Sequence, residues 1–288
     1  MREFAFQLER GLSRARPLVA KDGEHIFVAG LARSGTTVLM RALFDSGEFA
    51  SLTYRDMPLV MAPGLWSRLT GAFQTSMKPE ERAHGDGILV DHDSPEALEE
   101  VFWRTFVGDR YLRPDRLLVH SVDGERLADF TDYVGLILRR YGRARYLSKN
   151  NNNVLRLPSL LGNFPNAKVL IPFRKPLQQA YSLREQDRRF LDVHRSDPFA
   201  LSYMTWLGHH EFGGDHRPFQ WSEELLGLAR DGLDYWLMQW IETYSRLLSV
   251  GRGNSRVRFV CYEKLCENSA REFTQIEQFA GLTRGPVP

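Results

Sequence analysis

The 288-residue sequence has few of the features that assign a protein to a class at first sight. It has only two cysteines, Cys261 and Cys266, with no histidine close by, which fits neither a disulfide framework nor a common zinc pattern. We expect free thiols in a reducing compartment. No run of about 20 uncharged apolar residues occurs, so no membrane-spanning helix is expected, and residues 1–23 lack the apolar core of a signal peptide. These features favour a cytoplasmic location.

An excess of charge of one sign is also missing. The chain has 38 Lys and Arg residues against 36 Asp and Glu residues, a net charge of +2. A general nucleic-acid binder usually shows a basic excess, so nucleic acid is not an expected partner. The sequence has no internal repeat or linker, and 43% of its residues are hydrophobic. We therefore predict one domain over residues 1–288.

Six apolar segments predict the strands of a sheet. They are continuous rather than alternating in polarity, which is typical of parallel strands buried on both faces. Amphipathic helical patterns separate them, and together they predict a three-layer α/β fold with a central parallel sheet. The segment 183–230 is less periodic and predicts helices and loops over the sheet, on the side of a substrate pocket. The predicted strands are 25–30, 49–52, 116–121, 144–148, 167–173 and 257–262.

The segment 30–40, GLARSGTTVLM, joins the first predicted strand to a predicted helix. A helix N-terminus offers unpaired N–H groups and a positive dipole end, so this unit predicts an anion site. Gly30 and Gly35 allow a tight turn and a close approach of the backbone to the ligand. Arg33 adds a fixed positive charge and planar donors, and three hydroxyls follow. The candidate binding residues are Gly30, Arg33, Ser34, Gly35, Thr36 and Thr37.

Thr36 occupies the position at which the phosphate-binding loop of nucleotide triphosphatases has a lysine. In those loops the lysine reaches the β- and γ-phosphates, and the next hydroxyl binds Mg²⁺. The lysine is missing here, and no acidic strand follows in an evident place. The sequence therefore disfavours a kinase or an ATPase.

A second candidate anion site follows the strand predicted over 167–173. Arg174 stands at the end of this strand, and Pro176 suits the first turn of the helix that contains Ser182. The carboxyl ends of parallel strands meet at one edge of the sheet, where open α/β proteins bind ligands. Two anion sites on one edge suit a nucleotide with phosphates at both ends of its ribose.

Three motifs together resemble the sulfotransferases that use 3′-phosphoadenylyl sulfate. GLARSGTTVLMRAL resembles their 5′-phosphosulfate loop, and FPNAKVLIPFRKPLQQAYS resembles their 3′-phosphate motif. FVCYEKLCENSAREFTQIEQFAGL resembles their last strand and helix. The matches lie in the family's order and span about residues 25–282.

The resemblance implies a nucleotide-kinase-like core and a metal-independent reaction. A sulfuryl group would pass from 3′-phosphoadenylyl sulfate to an acceptor hydroxyl by in-line attack, leaving adenosine 3′,5′-bisphosphate. The loop with Arg33 would hold the phosphosulfate, and Arg174 with Ser182 would hold the 3′-phosphate. Lys149 resembles the family's lysine that reaches toward the leaving group. Such a donor has no γ-phosphate and no Mg²⁺ for the loop to bind, which would explain a loop without lysine.

The general base has to differ from the family's pattern, because cytosolic members of that family have a histidine just after the matching lysine. Here residues 150–153 are all asparagine, which cannot take a proton and which either line the site or end a strand. Asp56 follows the second predicted strand, and a carboxylate at that edge is our candidate base.

Four further residues are candidates for binding the acceptor: Glu99, Glu100, His209 and His210. Adjacent histidines do not share one helix face, so a metal site there is disfavoured. The acceptor class stays open among small molecules, carbohydrates and peptides. Two alternatives to a sulfotransferase also stay open at this point: a small-molecule or nucleotide kinase, and a nucleotide-binding module without catalysis.

Overall fold

The computed structural model describes residues 1–13, 20–71, 80–81 and 89–282. The strands are β1 Ile26–Val28, β2 Phe49–Ala50, β3 Glu80–Glu81, β4 Leu89–Val90, β5 Leu117–Leu118, β6 Arg145–Lys149, β7 Lys168–Phe173, β8 Phe219–Gln220 and β9 Val257–Cys261. The α-helices are α1 Arg2–Leu12, α2 Thr36–Phe44, α3 Pro63–Thr70, α4 Glu100–Tyr111, α5 Gly124–Tyr141, α6 Leu157–Asn163, α7 Pro176–Ser196, α8 Pro198–Leu207, α9 Leu233–Gly251, α10 Tyr262–Glu267 and α11 Ser269–Ala280. Short 3₁₀ turns cover Tyr54–Asp56, Asn151–Leu155, Gly213–Asp215 and Leu225–Gly227.

Five strands form one parallel sheet in the order β2-β6-β1-β7-β9. Val28 at the end of β1 is aligned with Lys149 of β6 on one side and with Leu170 of β7 on the other. The carboxyl ends of these three neighbouring strands therefore reach the same edge of the sheet. This confirms the predicted α/β fold with a central parallel sheet.

The apolar segment 116–121 is not a strand of this sheet, contrary to the prediction. Only Leu117 and Leu118 are extended, and they pair with β8 in a separate two-stranded sheet. Val119 is 41% exposed, so the segment is not buried on both faces as a central parallel strand would be.

Successive residues of a strand point to opposite faces of the central sheet. Helices cover both of these faces. Ile26 and Val28 pack in a cluster with Leu39 of α2 and Ile276 of α11. Phe27, between them, packs in a larger cluster that includes residues of α4, α5 and α6. The predicted three-layer arrangement follows from this alternation. None of the helices in the described ranges has both the length and the apolarity to cross a membrane.

The segment 183–230 contains the end of one helix, a second helix and a stretch of loops. α7 continues to Ser196 and α8 follows after a single residue, Asp197, whose side chain accepts a hydrogen bond from the Phe199 N–H. The long α7 packs against α9. The remainder, about 208–230, has only short 3₁₀ turns and β8 between its loops.

Two adjacent glutamates at the start of α4 are buried in the larger core cluster. Glu100 accepts two hydrogen bonds of 3.0 Å from the guanidinium of Arg156 and one of 2.8 Å from Asn150 Nδ2. Burial raises the pKa of Glu100, but the charge and hydrogen bonds of Arg156 outweigh burial and hold the pKa below its usual value. The guanidinium also lies over the rings of Trp103 and Tyr111.

We predict that Arg156→Met strongly destabilises the protein, because it leaves the Glu100 carboxylate buried without its cation. The free energy of unfolding in urea should fall by about 3–5 kcal/mol, the usual cost of breaking a buried ion pair from one side. The double variant Arg156→Met/Glu100→Leu removes both charges, so it should recover part of this loss.

The effect should also depend on pH. Because the folded pKa of Glu100 is depressed, its contribution is present above the unfolded pKa and lost as the pH falls through the folded pKa. The destabilisation by Arg156→Met should therefore shrink in acid. A loss that is equal at neutral and acidic pH would contradict this assignment.

Candidate active site

The loop between β1 and α2 has the geometry of an anion-binding turn. Gly35 is the N-cap of α2 and has φ 96°, and Arg33 has φ 64°, so two nearby residues are left-handed. A Cβ atom on Gly35 would lie 2.8 Å from the ring of Tyr262, which packs over the turn. Glycine is required there by both the φ angle and the space.

A cavity of about 250 Å³ lies against this loop at the carboxyl edge of the sheet. The first turn of α2 opens into it, and its far walls come from β6, α8 and the irregular segment after α8. The lining residues are Ala32, Arg33, Gly35, Thr36, Thr37, Val38, Glu96, Lys149, Asn151, Arg174, Met204, His209, Glu211, Phe212 and Tyr262.

A groove of about 590 Å³ lies on the other side of Arg33 and Arg174, which line both spaces. Ser182 of α7 lines the groove and accepts a hydrogen bond of 3.2 Å from Arg33 Nε. Arg174 stacks on the ring of Tyr262 at 4.7 Å, and its buried Nε has no hydrogen-bond partner among the described residues. The two predicted anion sites are therefore neighbours that share an arginine wall.

Gln179 in the first turns of α7 holds this wall in place. The side chain is fully buried, its Nε2 donates to Ala32 O at 3.0 Å, and its Oε1 accepts from the Arg174 N–H at 3.1 Å. Oε1 also accepts from Trp240 Nε1 at 3.0 Å. One amide thus joins the loop after β1, the end of β7 and helix α9. Nothing in the spacing of the sequence indicated this role.

Two carboxylates and two basic side chains face one another on the wall opposite the loop. Burial acts to raise the pKa of Glu96, but electrostatic interactions with Lys149 and His209 outweigh burial and lower this pKa to about 2. The pKa of Glu211 is lowered as well, because interactions with His209 and Lys149 outweigh the effect of burial, which acts to raise it. Glu96 accepts hydrogen bonds from the Tyr54 hydroxyl at 2.7 Å and the Ala97 N–H at 2.7 Å. Both carboxylates are thus held as anions beside the cavity.

The imidazole of His209 lines the same wall. Its Nε2 is 3.1 Å from Ala97 O. A carbonyl can only accept, so Nε2 carries the hydrogen and Nδ1 is left as the basic nitrogen of the neutral ring. His210, the other predicted histidine, does not line this cavity, since it is buried with Nδ1 at 2.9 Å from Asp215 Oδ2.

Asp56, the predicted base, does not line the cavity either. It is fully buried, and its Oδ2 accepts hydrogen bonds from the Thr53 N–H at 2.9 Å and the Tyr141 hydroxyl at 2.5 Å. Burial raises the pKa of Asp56. The carboxylate closes a capping box on its own 3₁₀ turn, which directs it away from the ligand edge. We correct the expectation accordingly and do not assign the base to Asp56.

Four other candidates also lie outside the cavity lining. Glu99 accepts from Trp103 Nε1 and Tyr146 Oη, both at 2.9 Å, and Glu100 pairs with Arg156. Neither residue lines the cavity, so neither is placed to bind an acceptor. Ser34 is buried and donates its hydroxyl to Leu31 O at 2.7 Å, so it stabilises the turn itself. Gly30 lies behind the turn, where a Cβ would be 3.1 Å from Pro172 O.

Glu96, Gln179, Glu211 and Tyr262 belong to the site although the sequence did not single them out. Asn151 lines the cavity, which agrees with one of the two alternatives left open for residues 150–153. Glu211 directly follows the two histidines, so that acidic neighbour was a usable signal. Within the part of the chain that the structure describes, no group of three or more His, Cys, Asp and Glu side chains is arranged to hold a metal ion.

Comparison with known proteins agrees with this geometry. Residues 25–191, more than half of the chain, match the profile described as Sulfotransferase family. The chain belongs to the sulfotransferase family. This confirms the resemblance found in the motifs. No curated protein matches the sequence.

Two solved sulfotransferases share the fold. STF1 from Mycobacterium tuberculosis H37Rv is 14% identical, and the alignment covers 96% of this chain and 73% of that one with a TM-score of 0.55. STF9 from Mycobacterium avium is 15% identical, with 96% and 70% covered and a TM-score of 0.51. At such identities the likeness concerns the fold alone. The sulfotransferase assignment rests on the family match.

We predict that Gln179→Leu destabilises this sulfotransferase, because it leaves Ala32 O, the Arg174 N–H and the Trp240 indole N–H without their buried partner. Each unsatisfied buried group costs about 1–3 kcal/mol, so the free energy of unfolding in urea should fall by more than about 2 kcal/mol. Gln278→Leu on the exposed side of α11 is the matched control and should change stability by less than about 0.5 kcal/mol. Equal effects of the two substitutions would refute the role given to Gln179.

Proposed function

We propose that this sulfotransferase uses 3′-phosphoadenylyl sulfate as donor and sulfates an acceptor hydroxyl without a metal ion. The observation that carries the proposal is the shared arginine wall: Arg33 and Arg174 stand between a cavity at a helix N-terminus and a groove beside α7. A donor with phosphate groups on both sides of one ribose suits two adjoining anion sites that share their arginine residues.

The 5′-phosphosulfate is proposed to lie in the cavity. The N–H groups of the first turn of α2, the hydroxyls of Thr36 and Thr37 and the guanidinium of Arg33 all border this space. Backbone N–H groups at a helix N-terminus hold anions with help from the helix dipole. The 3′-phosphate is proposed to lie in the groove, which is lined by the guanidinium-bearing side chain of Arg174 and by Ser182 with its hydroxyl.

Lys149 takes the place of the lysine that the loop lacks. It ends β6 directly beside the end of β1 and lines the cavity, so its ammonium group reaches the ligand from the neighbouring strand. As the S–O bond to the 5′-phosphate breaks, negative charge grows on the bridging oxygen. A cation already in position stabilises that charge more than the ground state, and such a donor is worth about 3–4 kcal/mol.

His209 is proposed as the general base. The acceptor oxygen attacks sulfur in line with the leaving phosphate, a new S–O bond forms, and the hydroxyl proton moves to His209 Nδ1. The carbonyl of Ala97 fixes the required tautomer. Glu96 is ionised nearby and stabilises the imidazolium that results. A positioned base contributes about 10²–10⁴-fold to such a reaction.

The first test is ligand binding. Adenosine 3′,5′-bisphosphate should raise Tm in a concentration-dependent way, because a ligand of the folded state stabilises it by mass action. ATP with Mg²⁺ should raise Tm much less, and EDTA should abolish neither the shift nor turnover. A larger shift with ATP and Mg²⁺ would indicate a kinase. Binding of the bisphosphate without any transfer from the labelled donor to a panel of acceptors would indicate a nucleotide-binding module.

The second test separates chemistry from binding. Lys149→Ala and His209→Asn should mainly lower kcat, by about a hundredfold or more, because both act on charge that develops in the transition state. Arg174→Ala should mainly raise KM for the donor, because the 3′-phosphate is remote from sulfur. Steady-state kinetics with varied donor would measure both parameters.

Matched controls come from exposed residues outside the cavity and the groove. Lys21→Ala and Arg195→Ala remove an exposed lysine and an exposed arginine, so both should leave kcat and KM near the wild-type values. An intact kcat in Lys149→Ala with a raised donor KM, and the opposite pattern in Arg174→Ala, would mean that the two ends of the donor are assigned in reverse.

A further inference from the structure

Asn151 holds an unused hydrogen-bond acceptor at the cavity. The residue is 5% exposed, lines the cavity, and donates from Nδ2 to Glu211 Oε1 at 2.9 Å. Its Oδ1 is buried and accepts no hydrogen bond from any group in the described ranges. The orientation of the amide is fixed by Glu211, because the reversed amide would place an oxygen against the carboxylate. A buried carbonyl oxygen without a donor points to a ligand that supplies one.

The carboxylates beside it have no cation in direct contact within the described part of the chain. Among the described residues, no Lys, Arg or His nitrogen lies within the 4.0 Å of an ion pair from either Glu211 or Glu96. The lowering of their pKa values comes from Lys149 and His209 at longer range. Partly buried carboxylates of this kind are normally paired with a cation.

Donor binding adds further negative charge to the cavity that these carboxylates border. A phosphosulfate brings two negative charges to the loop and engages Lys149 and Arg33. The side chains of Glu96, Asn151 and Glu211 then line the remaining space, and two of the three are carboxylates. An anionic acceptor is repelled from that space, and a cationic one is attracted, since the interaction between charges is strong where water is largely excluded.

We propose that the acceptor is an amino alcohol, whose ammonium group is bound by Glu211 and Asn151 while its hydroxyl is presented to sulfur. The inference rests on the proposed sulfuryl transfer and adds the class of acceptor. The N–H groups of a primary or secondary ammonium satisfy both the Glu211 carboxylate and Asn151 Oδ1. Met204 and Phe212 line the same cavity and offer apolar surface to the carbon chain between the two groups.

The experiment measures kcat/KM for a series of ω-amino alcohols with labelled 3′-phosphoadenylyl sulfate. The n-alkanol and the ω-hydroxy carboxylate of equal chain length are run beside each amino alcohol. We expect the amino alcohol to exceed the alkanol by about tenfold to a hundredfold, as a hydrogen-bonded charge typically contributes. The hydroxy carboxylate should be the poorest acceptor of the three.

Glu211→Gln tests the assignment of the subsite. It keeps the shape of the side chain and removes the charge, so the ratio of amino alcohol to alkanol should fall to about one. Glu125→Gln, an exposed glutamate of α5, is the matched control and should keep the wild-type ratio. A Tm shift with adenosine 3′,5′-bisphosphate verifies that the Glu211→Gln protein is folded and has its donor site.

The outcomes separate this inference from the function on which it rests. Sulfation of alkanols or hydroxy carboxylates at least as efficiently as amino alcohols would overturn the ammonium subsite and leave sulfuryl transfer intact. A preference for amino alcohols that survives Glu211→Gln would overturn the role of Glu211. Absence of transfer to every acceptor, with no binding of the bisphosphate, would overturn the donor site as well.

Discussion

The parallel alignment of β1 with β6 and β7 is the constraint on which the candidate site depends. Because Val28 is aligned with Lys149 and Leu170, the ends of three strands deliver their following residues to one edge of the sheet. The loop before α2, Lys149 and Arg174 are distant in sequence, yet all of them line one cavity. A parallel sheet makes this possible without any local sequence motif that joins them, and the buried Gln179 fixes the spacing between two of the three.

The charges are arranged so that each end of the proposed donor meets a different kind of group. Backbone N–H groups and Arg33 border the cavity, while Arg174 and Ser182 border the groove. Among the residues that line the cavity, carboxylates occur only on the wall across from the loop. The proposed reaction therefore runs between the loop side, which holds the donor, and the opposite wall, which holds the acceptor and carries His209 and Lys149 beside the two carboxylates.

The sequence was sufficient for the fold and the family because both depend on local patterns. Continuous apolar runs located all five strands of the central sheet, and the glycine-rich turn located the start of α2. Asp56 shows the limit, because its place after a strand was predictable whereas the capping box that turns its carboxylate inward was not. Glu99 and Glu100 show the same limit, since burial with Arg156 depends on tertiary packing. Glu96 has no spacing signal at all, and the irregular chain before α4 brings it to the cavity.

The measurement that tests the central claim most directly is a crystal structure of the protein with adenosine 3′,5′-bisphosphate. The account predicts the 5′-phosphate at the N–H groups of residues 35–37 with Lys149 beside it, and the 3′-phosphate between Arg174 and Ser182. It also predicts an open space between the 5′-phosphate and His209 for the acceptor. A nucleotide bound in the reverse direction, or bound away from the arginine wall, would contradict the account.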